Sequence, residues 1–276
     1  MTRRLFALFV LFACAACMVF LAIPVAGVEE RALVRRDTER VESSLVYPRL
    51  GHAPVDAALA RFAAQTLERR ARDLEGEVLR TASGPGRLAR LEGRYTLFRP
   101  SPQALSVLFE LHATSPLWPA PRRYFAARSF RLPTGEEVPL SGIFANAPDA
   151  LEVFAKRCPP KLLAKMLAQH TQERVEMAWF LRTRLIVPGY PMPNGTDMAE
   201  FSRRGGEAPA MRLLEGIVRG TRAEAENYQH LVLTPEGIRI QFELLQLGGP
   251  EEGAPYVDLS LRELGEAKPR LALWGK

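Results

Sequence analysis

The segment from Asn227 to Leu264 constrains the fold most strongly, because a strand, a turn and a second strand follow one another within it. The apolar run Leu231–Leu233 and the alternating apolar residues Ile238, Ile240 and Phe242 flank the triplet Pro235-Glu236-Gly237. Proline and glycine suit a tight turn, and the flanking β-branched and aromatic side chains favour strands. We therefore assign these apolar positions to the core of a β-hairpin, which needs a further layer to cover its apolar face.

The rest of the chain alternates strand-like and helix-like segments. Ala53–Thr81 predicts a long helix, since Pro54 fits its first position and apolar residues recur at helical spacing. Pro159-Pro160 predicts a break or a kink in a second helix that begins after Asn146. Four strands are also predicted, at Val41–Tyr47, Tyr95–Phe98, Ala104–Leu111 and Tyr124–Leu132. Of these, Tyr95–Phe98 and Ala104–Leu111 are expected to form an antiparallel pair. A short helix is predicted at Met211–Val218. This order predicts an α+β fold, an antiparallel β-sheet packed with helices in two consecutive α+β passages.

Two segments resemble a known family. In Leu132–Phe144 a strand and a Thr-Gly turn precede a short apolar segment, and in Asn227–Leu264 the hairpin leads to a proline- and glycine-bearing loop and a closing strand. Both are similar to the RsiV-type extracytoplasmic domain family, which occurs in a membrane-bound anti-sigma factor that senses lysozyme and in cell-wall polysaccharide deacetylases. The resemblance implies an N-terminal α+β half at residues 28–123, an RsiV-type α+β domain at residues 124–276, and a binding module more than a catalyst.

The chain departs from that family at one place. Many relatives carry a Gly-Gly-Ala-His element between the second and third strands, where this chain has Ser115–Pro121. The role of that element is therefore not carried over. The anti-sigma role also needs a cytoplasmic domain, and only Met1–Arg4 would lie on that side of the membrane, so we do not expect sigma-factor control.

The N-terminus predicts export. Arg3 and Arg4 precede an uncharged apolar run from Leu5 to Ala26, so residues 1–27 are a signal peptide or an N-terminal membrane anchor. Cys14 and Cys17, beside small residues, leave lipid attachment open as a third route. Each route predicts a periplasmic or extracellular protein. If the N-terminal segment is retained, the protein is anchored to the inner membrane.

Charge and cysteine content narrow the class further. Removing Arg3 and Arg4 with the leader leaves 35 basic against 31 acidic side chains, a net charge of +4 without long runs of like charge. This balance does not favour a nucleic-acid partner. Only Cys158 remains after the leader, so stability must come from a packed core instead of disulfides.

The sequence carries no motif that identifies a reaction. It lacks the common nucleophile, zinc-protease and phosphate-loop patterns. The four histidines, His52, His112, His170 and His230, occur singly, without the spacing of a metal site. We therefore predict no cofactor and no metal, and we favour a protein that is not an enzyme.

Aromatic and arginine side chains on loops are the candidate contact residues. Trp118, Arg122, Arg123 and Tyr124 lie on or beside a proline-rich loop, and Tyr190 lies in a long Pro- and Gly-rich segment. Such side chains are enriched in interfaces.

The leading hypothesis is a non-catalytic binding module for a cell-envelope protein or peptidoglycan glycan. The alternatives are a cell-wall hydrolase, with a histidine and a carboxylate brought together by the fold, and a structural protein that self-associates through a sheet edge. The sequence leaves the oligomeric state open.

Overall fold

The computed structural model describes residues 30–81, 88–168, 176, 181, 203, 205, 207–243, 246–247 and 254–276. The strands are β1 (Glu30–Arg35), β2 (Val41–Arg49), β3 (Ala89–Ser101), β4 (Ala104–Thr114), β5 (Arg122–Arg131), β6 (Leu231–Thr234), β7 (Gly237–Gln241) and β8 (Tyr256–Ser260). The helices are α1 (Ala53–Thr81), α2 (Leu140–Ile143), α3 (Ala147–Leu167) and α4 (Glu207–Gly220), with 3-10 helices at Ala225–Tyr228, Gly265–Ala267 and Leu271–Trp274. The predicted α+β fold class is confirmed.

The first sheet has five strands in the order β1-β2-β3-β4-β5. All its pairs are antiparallel except β2 with β3, which run parallel. Helix α1 connects these two strands and returns the chain to the end of the sheet from which β3 starts, as a parallel pair requires. The sheet is therefore mixed where the sequence predicted antiparallel pairing throughout.

Helix α1 covers one face of this sheet. Alternate residues of β4, including Leu105, Val107 and Phe109, are buried in one apolar cluster with Leu59 and Phe62 of the helix. The two phenyl rings stack with centroids 5.0 Å apart. The start of the helix is held by Asp56, whose carboxylate accepts hydrogen bonds from the backbone N–H groups of Leu50 and Gly51 at 2.7 and 3.1 Å.

The second sheet is the antiparallel β6-β7-β8 meander. Its outer face packs against α3 and α4 through a cluster that includes Leu233, Ile240, Phe154 and Ile217. The hairpin predicted around Pro235-Glu236-Gly237 is confirmed, with Thr234 paired to Gly237. The layers therefore follow in this order: helix α1, the five-stranded sheet, the three-stranded sheet, and the helices α3 and α4.

The two sheets meet over part of the open face of the first. Val232 of β6 lies against Leu108 of β4 and Phe125 of β5. Within this apolar contact, the buried hydroxyls of Ser106 and Ser129 are 2.6 Å apart, and Ser106 Oγ accepts the Leu233 backbone N–H at 2.9 Å. These bonds satisfy polar groups that the contact removes from water.

Several boundaries differ from the sequence predictions. Helix α3 continues through Pro159 and Pro160, so the predicted break is wrong, while the alternative of a kink stays a prediction. Buried side chains on both sides of the pair, among them Phe154 and Leu162, hold the helix in the core. Strand β1 was not predicted. The boundary proposed between residues 123 and 124 falls within β5, and that division of the chain stays a prediction.

Among the described residues, no helix combines the length and apolar composition needed to cross a bilayer. The predicted export segment, residues 1–27, lies outside the described residues, as does most of the long segment that follows α3.

We expect Ser106→Ala to lower the free energy of unfolding by about 1–3 kcal/mol, because it leaves the buried Leu233 N–H and Ser129 hydroxyl without their partner. Urea denaturation of the purified domain measures this change. Ser44→Ala is the matched control, since that half-buried hydroxyl makes no hydrogen bond with a described residue. Equal stability of the two variants would contradict the role given to Ser106.

Candidate functional site

A polar cleft of about 450 Å³ opens where α1 approaches the segment around β6 and β7. The lining side chains among the described residues are all polar or charged: Arg69, Arg70, Asp73, Glu226, Asn227, Gln229, His230, Glu243 and Gln246. The first three come from α1 and the others from the second half of the chain. The cleft is therefore a product of how the two halves pack.

Glu243 ties the floor of this cleft together. Its Oε1 accepts a hydrogen bond from Arg70 Nη2 at 2.6 Å and lies 3.1 Å from His230 Nε2. The Phe125 backbone N–H of β5 also donates to this carboxylate. One side chain thus links α1, the edge of the first sheet and the segment entering β6.

These contacts keep Glu243 ionised. Burial alone would raise the pKa of this carboxyl group, but the hydrogen bond with His230, the positive charge of Arg70 and the Phe125 N–H together hold the pKa below its ordinary value. A carboxylate held in this way acts as an anchor and is a poor proton donor near neutral pH.

Two further side chains make the floor rigid. The Gln246 amide donates to the carbonyls of Gly220 and Asn227 at 2.9 and 2.8 Å and accepts the Glu243 backbone N–H at 3.2 Å. The Arg70 guanidinium lies 5.0 Å from the ring centroid of Tyr124, and no described residue accepts a hydrogen bond from its buried Nε. The floor is built from side chains that hold one another.

The rim of the cleft is different. Arg69, Asp73, Glu226 and Gln229 are exposed, and no described residue forms a hydrogen bond or an ion pair with their side chains. Within the described part of the chain, one guanidinium, two carboxylates and an amide therefore point to the cleft without a partner.

The structure brings together three of the residues predicted as contacts. The Arg122 guanidinium lies 4.2 Å from the Trp118 ring centroid, pairs with Glu77 of α1 and donates to the Tyr124 hydroxyl. Trp118 packs against the core under α1 and is half-buried. Because Tyr124 also stacks with Arg70, these residues form one line of contacts that runs from the loop to the cleft.

Arg123 and Tyr190 lie elsewhere. The Arg123 side chain points to the opposite face of the sheet, 3.9 Å from the Glu110 carboxylate, which also pairs with Arg94 at 2.7 Å and His112 at 3.0 Å. Neighbouring residues of a strand point to opposite faces, so Arg122 and Arg123 cannot share one surface of β5. Tyr190 lies outside the described residues.

The cleft residues carried no signal of a shared site in the sequence. Arg70 and Glu243 are 173 positions apart, and Arg69 is one of several arginines on a solvent-facing helix. His230, predicted as an isolated surface or core histidine, is buried and paired with Glu243. Only the packing of the two halves reveals the cluster.

The described residues hold no cluster of three potential metal ligands among His, Cys, Asp and Glu. Cys158, which is free and buried, has a pKa raised to about 12 by burial, so its thiol stays protonated and is a poor nucleophile.

Comparisons with known proteins give two solved structures of limited structural similarity. No family model and no curated protein matches the sequence significantly. A crystal structure of a DUF3298 family protein from Pseudomonas aeruginosa PAO1 has a TM-score of 0.47 and 10% sequence identity, covering 89% of this chain and 94% of that one. A DUF3298 family member from Bacteroides fragilis has a TM-score of 0.39 and 8% identity, covering 90% and 97%. Similarity at this level transfers no function, and the RsiV-type assignment stays a prediction.

We expect Glu243→Gln to lower the free energy of unfolding by about 1–3 kcal/mol at pH 7, because the partly buried Arg70 loses its counter-charge. A carboxyl group with a lowered folded-state pKa stabilises the protein fully above its ordinary pKa of 4.5 and loses that effect as pH falls through the folded-state value. The difference between wild type and variant should therefore shrink below pH 4.5. Urea denaturation from pH 7 to pH 3 measures it, and a constant difference over that range would refute the electrostatic role.

Proposed function

We propose that this chain is a non-catalytic binding module of the cell envelope, whose partner is an envelope protein or a peptidoglycan glycan. The observation that carries the proposal is the polar cleft with its two kinds of lining. The floor groups hold one another in place, and the rim groups are exposed and unpaired within the described part of the chain. Pre-arranged polar groups beside free ones favour binding, because little ordering is needed when a ligand arrives.

The loop with Trp118 and Arg122 is the second part of the proposed surface. Stacking and the ion pair with Glu77 hold the guanidinium in one place, and Leu117 beside it is exposed. The contacts through Tyr124 and Arg70 link this loop to the cleft, which supports a shared contact surface.

The proposed location is extracytoplasmic, either periplasmic or extracellular. It is supported by the export pattern of residues 1–27 and by the resemblance of Leu132–Phe144 and Asn227–Leu264 to the RsiV-type family. An envelope partner follows from that location. A function as accessory binding domain agrees with what the resemblance implies.

We expect the double variant Asp73→Lys with Glu226→Lys to bind envelope partners at least tenfold more weakly than wild type, because it reverses both free carboxylates of the rim. The measurements are co-sedimentation with purified peptidoglycan and pull-down of envelope proteins, with residues 28–276 as bait. Glu152→Lys with Glu215→Lys is the matched control, since it makes the same charge change at exposed helix positions away from the cleft. Equal retention of both variants would exclude the rim as the contact surface.

Arg122 and Arg123 offer an internal comparison of the two faces of β5. Because only Arg122 lies on the proposed surface, we expect Arg122→Ala to weaken retention several-fold and Arg123→Ala to leave it unchanged. Circular dichroism confirms that both variants are folded. Equal loss in the two variants would contradict the placement of the surface on the α1 side.

The hydrolase hypothesis has one observation in its favour, the 3.1 Å approach of His230 to Glu243 within the cleft. Catalysis would appear in the co-sedimentation experiment as soluble fragments released from peptidoglycan by the wild-type protein. Intact peptidoglycan after prolonged incubation supports the binding module.

A further inference from the structure

Strand β5 is an edge strand, and several of its outward backbone groups are occupied. At one end, Arg131 N–H donates to the Glu136 carbonyl and the Ser129 carbonyl accepts Val138 N–H, each at 2.8 Å. Toward the other end, Phe125 N–H donates to the Glu243 carboxylate. In an antiparallel edge strand, the backbone N–H and C=O of every second residue point away from the rest of the sheet. Ala127 therefore also directs its N–H and C=O outward, and no described residue bonds to them.

The chain itself explains this opening. Residues 136–138 run along β5 as a partial sixth strand, with a bridge between Phe130 and Glu137. Pro139, the next residue, has no N–H, and α2 begins at Leu140 and leads the chain away. The partial sixth strand therefore ends one residue pair before it would reach Ala127.

A groove follows the open part of the edge. Its apolar end, about 210 Å³, is lined by residues that include Ala127, Val138, Pro139, Leu140, Ile143 and Leu231. Gln229 lines both this end and the polar cleft, so the two adjoin at this residue and are together called the groove. An apolar side chain fits the aliphatic part of this lining. Polar and aromatic residues complete it: Arg128, Ser129, Glu137, Tyr228 and Gln229.

The other end of the groove has an acidic excess. Among the described lining residues, the charges without a described partner are the carboxylates of Asp73 and Glu226 and the guanidinium of Arg69. Arg70 and Glu243 neutralise each other. A basic side chain is the complementary group.

We propose that this groove binds an extended peptide segment of a partner protein by strand addition at Ala127. The peptide backbone pairs with the Ala127 N–H and C=O, an apolar side chain enters the aliphatic end, and a basic side chain meets Asp73 and Glu226. A peptide is favoured over a glycan because an open strand edge matches the alternating donors and acceptors of another backbone. This inference rests on the proposed binding function and selects its partner class.

An array of synthetic octapeptides tests the proposal. Each peptide carries one leucine and one lysine, two or four positions apart, in a serine and threonine background, because side chains on one face of a strand are two residues apart. A second set has glutamate in place of lysine. We expect at least tenfold tighter binding of the lysine set by wild type, and reversal of this preference in Asp73→Lys with Glu226→Lys.

Hydrogen exchange examines the backbone contact directly. A saturating array peptide should slow exchange of the Ala127 amide at least tenfold, and Ala127→Pro, which removes that N–H on an edge strand, should weaken binding about five- to tenfold. If Ala127→Pro fails to fold, the exchange measurement and the surface charge reversal still decide the question.

Three outcomes would overturn the inference: no peptide binds, a peptide binds without slowing Ala127 exchange, or light scattering shows a dimer that Ala127→Pro abolishes. The last would assign the edge to a second copy of the chain. Retention on peptidoglycan without peptide binding would overturn this inference and leave the proposed function standing. Absence of retention on any envelope fraction would instead overturn the proposed function.

Discussion

The contact between the two sheets determines most of what is distinctive about this molecule. Val232, Leu108 and Phe125 form a small apolar layer, and the Ser106 hydroxyl gives the Leu233 N–H a partner inside it. The layer covers only part of the open face of the first sheet. Beyond it, the same face carries the charged group of Arg94, Glu110, His112 and Arg123, as expected where a sheet face meets water. The position of β6 therefore decides which side chains of β4 are core and which are surface.

The same contact creates the cleft. Placing β6 against β5 brings His230 and Glu243 to the edge of the first sheet, where Arg70 of α1 reaches the Glu243 carboxylate. Three charged or polar groups that would be costly to bury singly stabilise one another there. Because they are already engaged, the chemistry available to a ligand is that of the exposed rim and of the open strand edge. The ion-pair network holds the floor of the cleft together. The exposed groups around it determine which ligand the cleft prefers.

The sequence predicted local structure better than assembly. Helix α1 was predicted with the bounds observed, because its proline start and apolar spacing are local signals. The turn at Gly237 was also predicted, but the need for glycine there is not local: a Cβ would lie 2.0 Å from the Leu259 carbonyl oxygen of the neighbouring strand. The sequence predicted neither strand β1 nor the parallel pairing of β2 with β3. That pairing depends on where α1 returns the chain, which is not a local property. Trp118, Arg122 and Tyr124 were recognised by residue type and do lie together, whereas Arg123 was grouped with them by sequence proximity although strand alternation separates it.

The cleft was out of reach of sequence reasoning for a physical reason. Its floor joins side chains 173 positions apart, and each alone is an ordinary residue: an arginine on an amphipathic helix, a single histidine, a glutamate after a strand. No spacing rule relates such residues, because the two elements that carry them are brought together only by tertiary packing. Ligand specificity in such a fold can change by substitution of the exposed rim residues without loss of the floor that holds the halves together. The fold alone therefore says little about the ligand. The features from which a partner can be inferred are the groups at the rim and at Ala127 that no described residue engages.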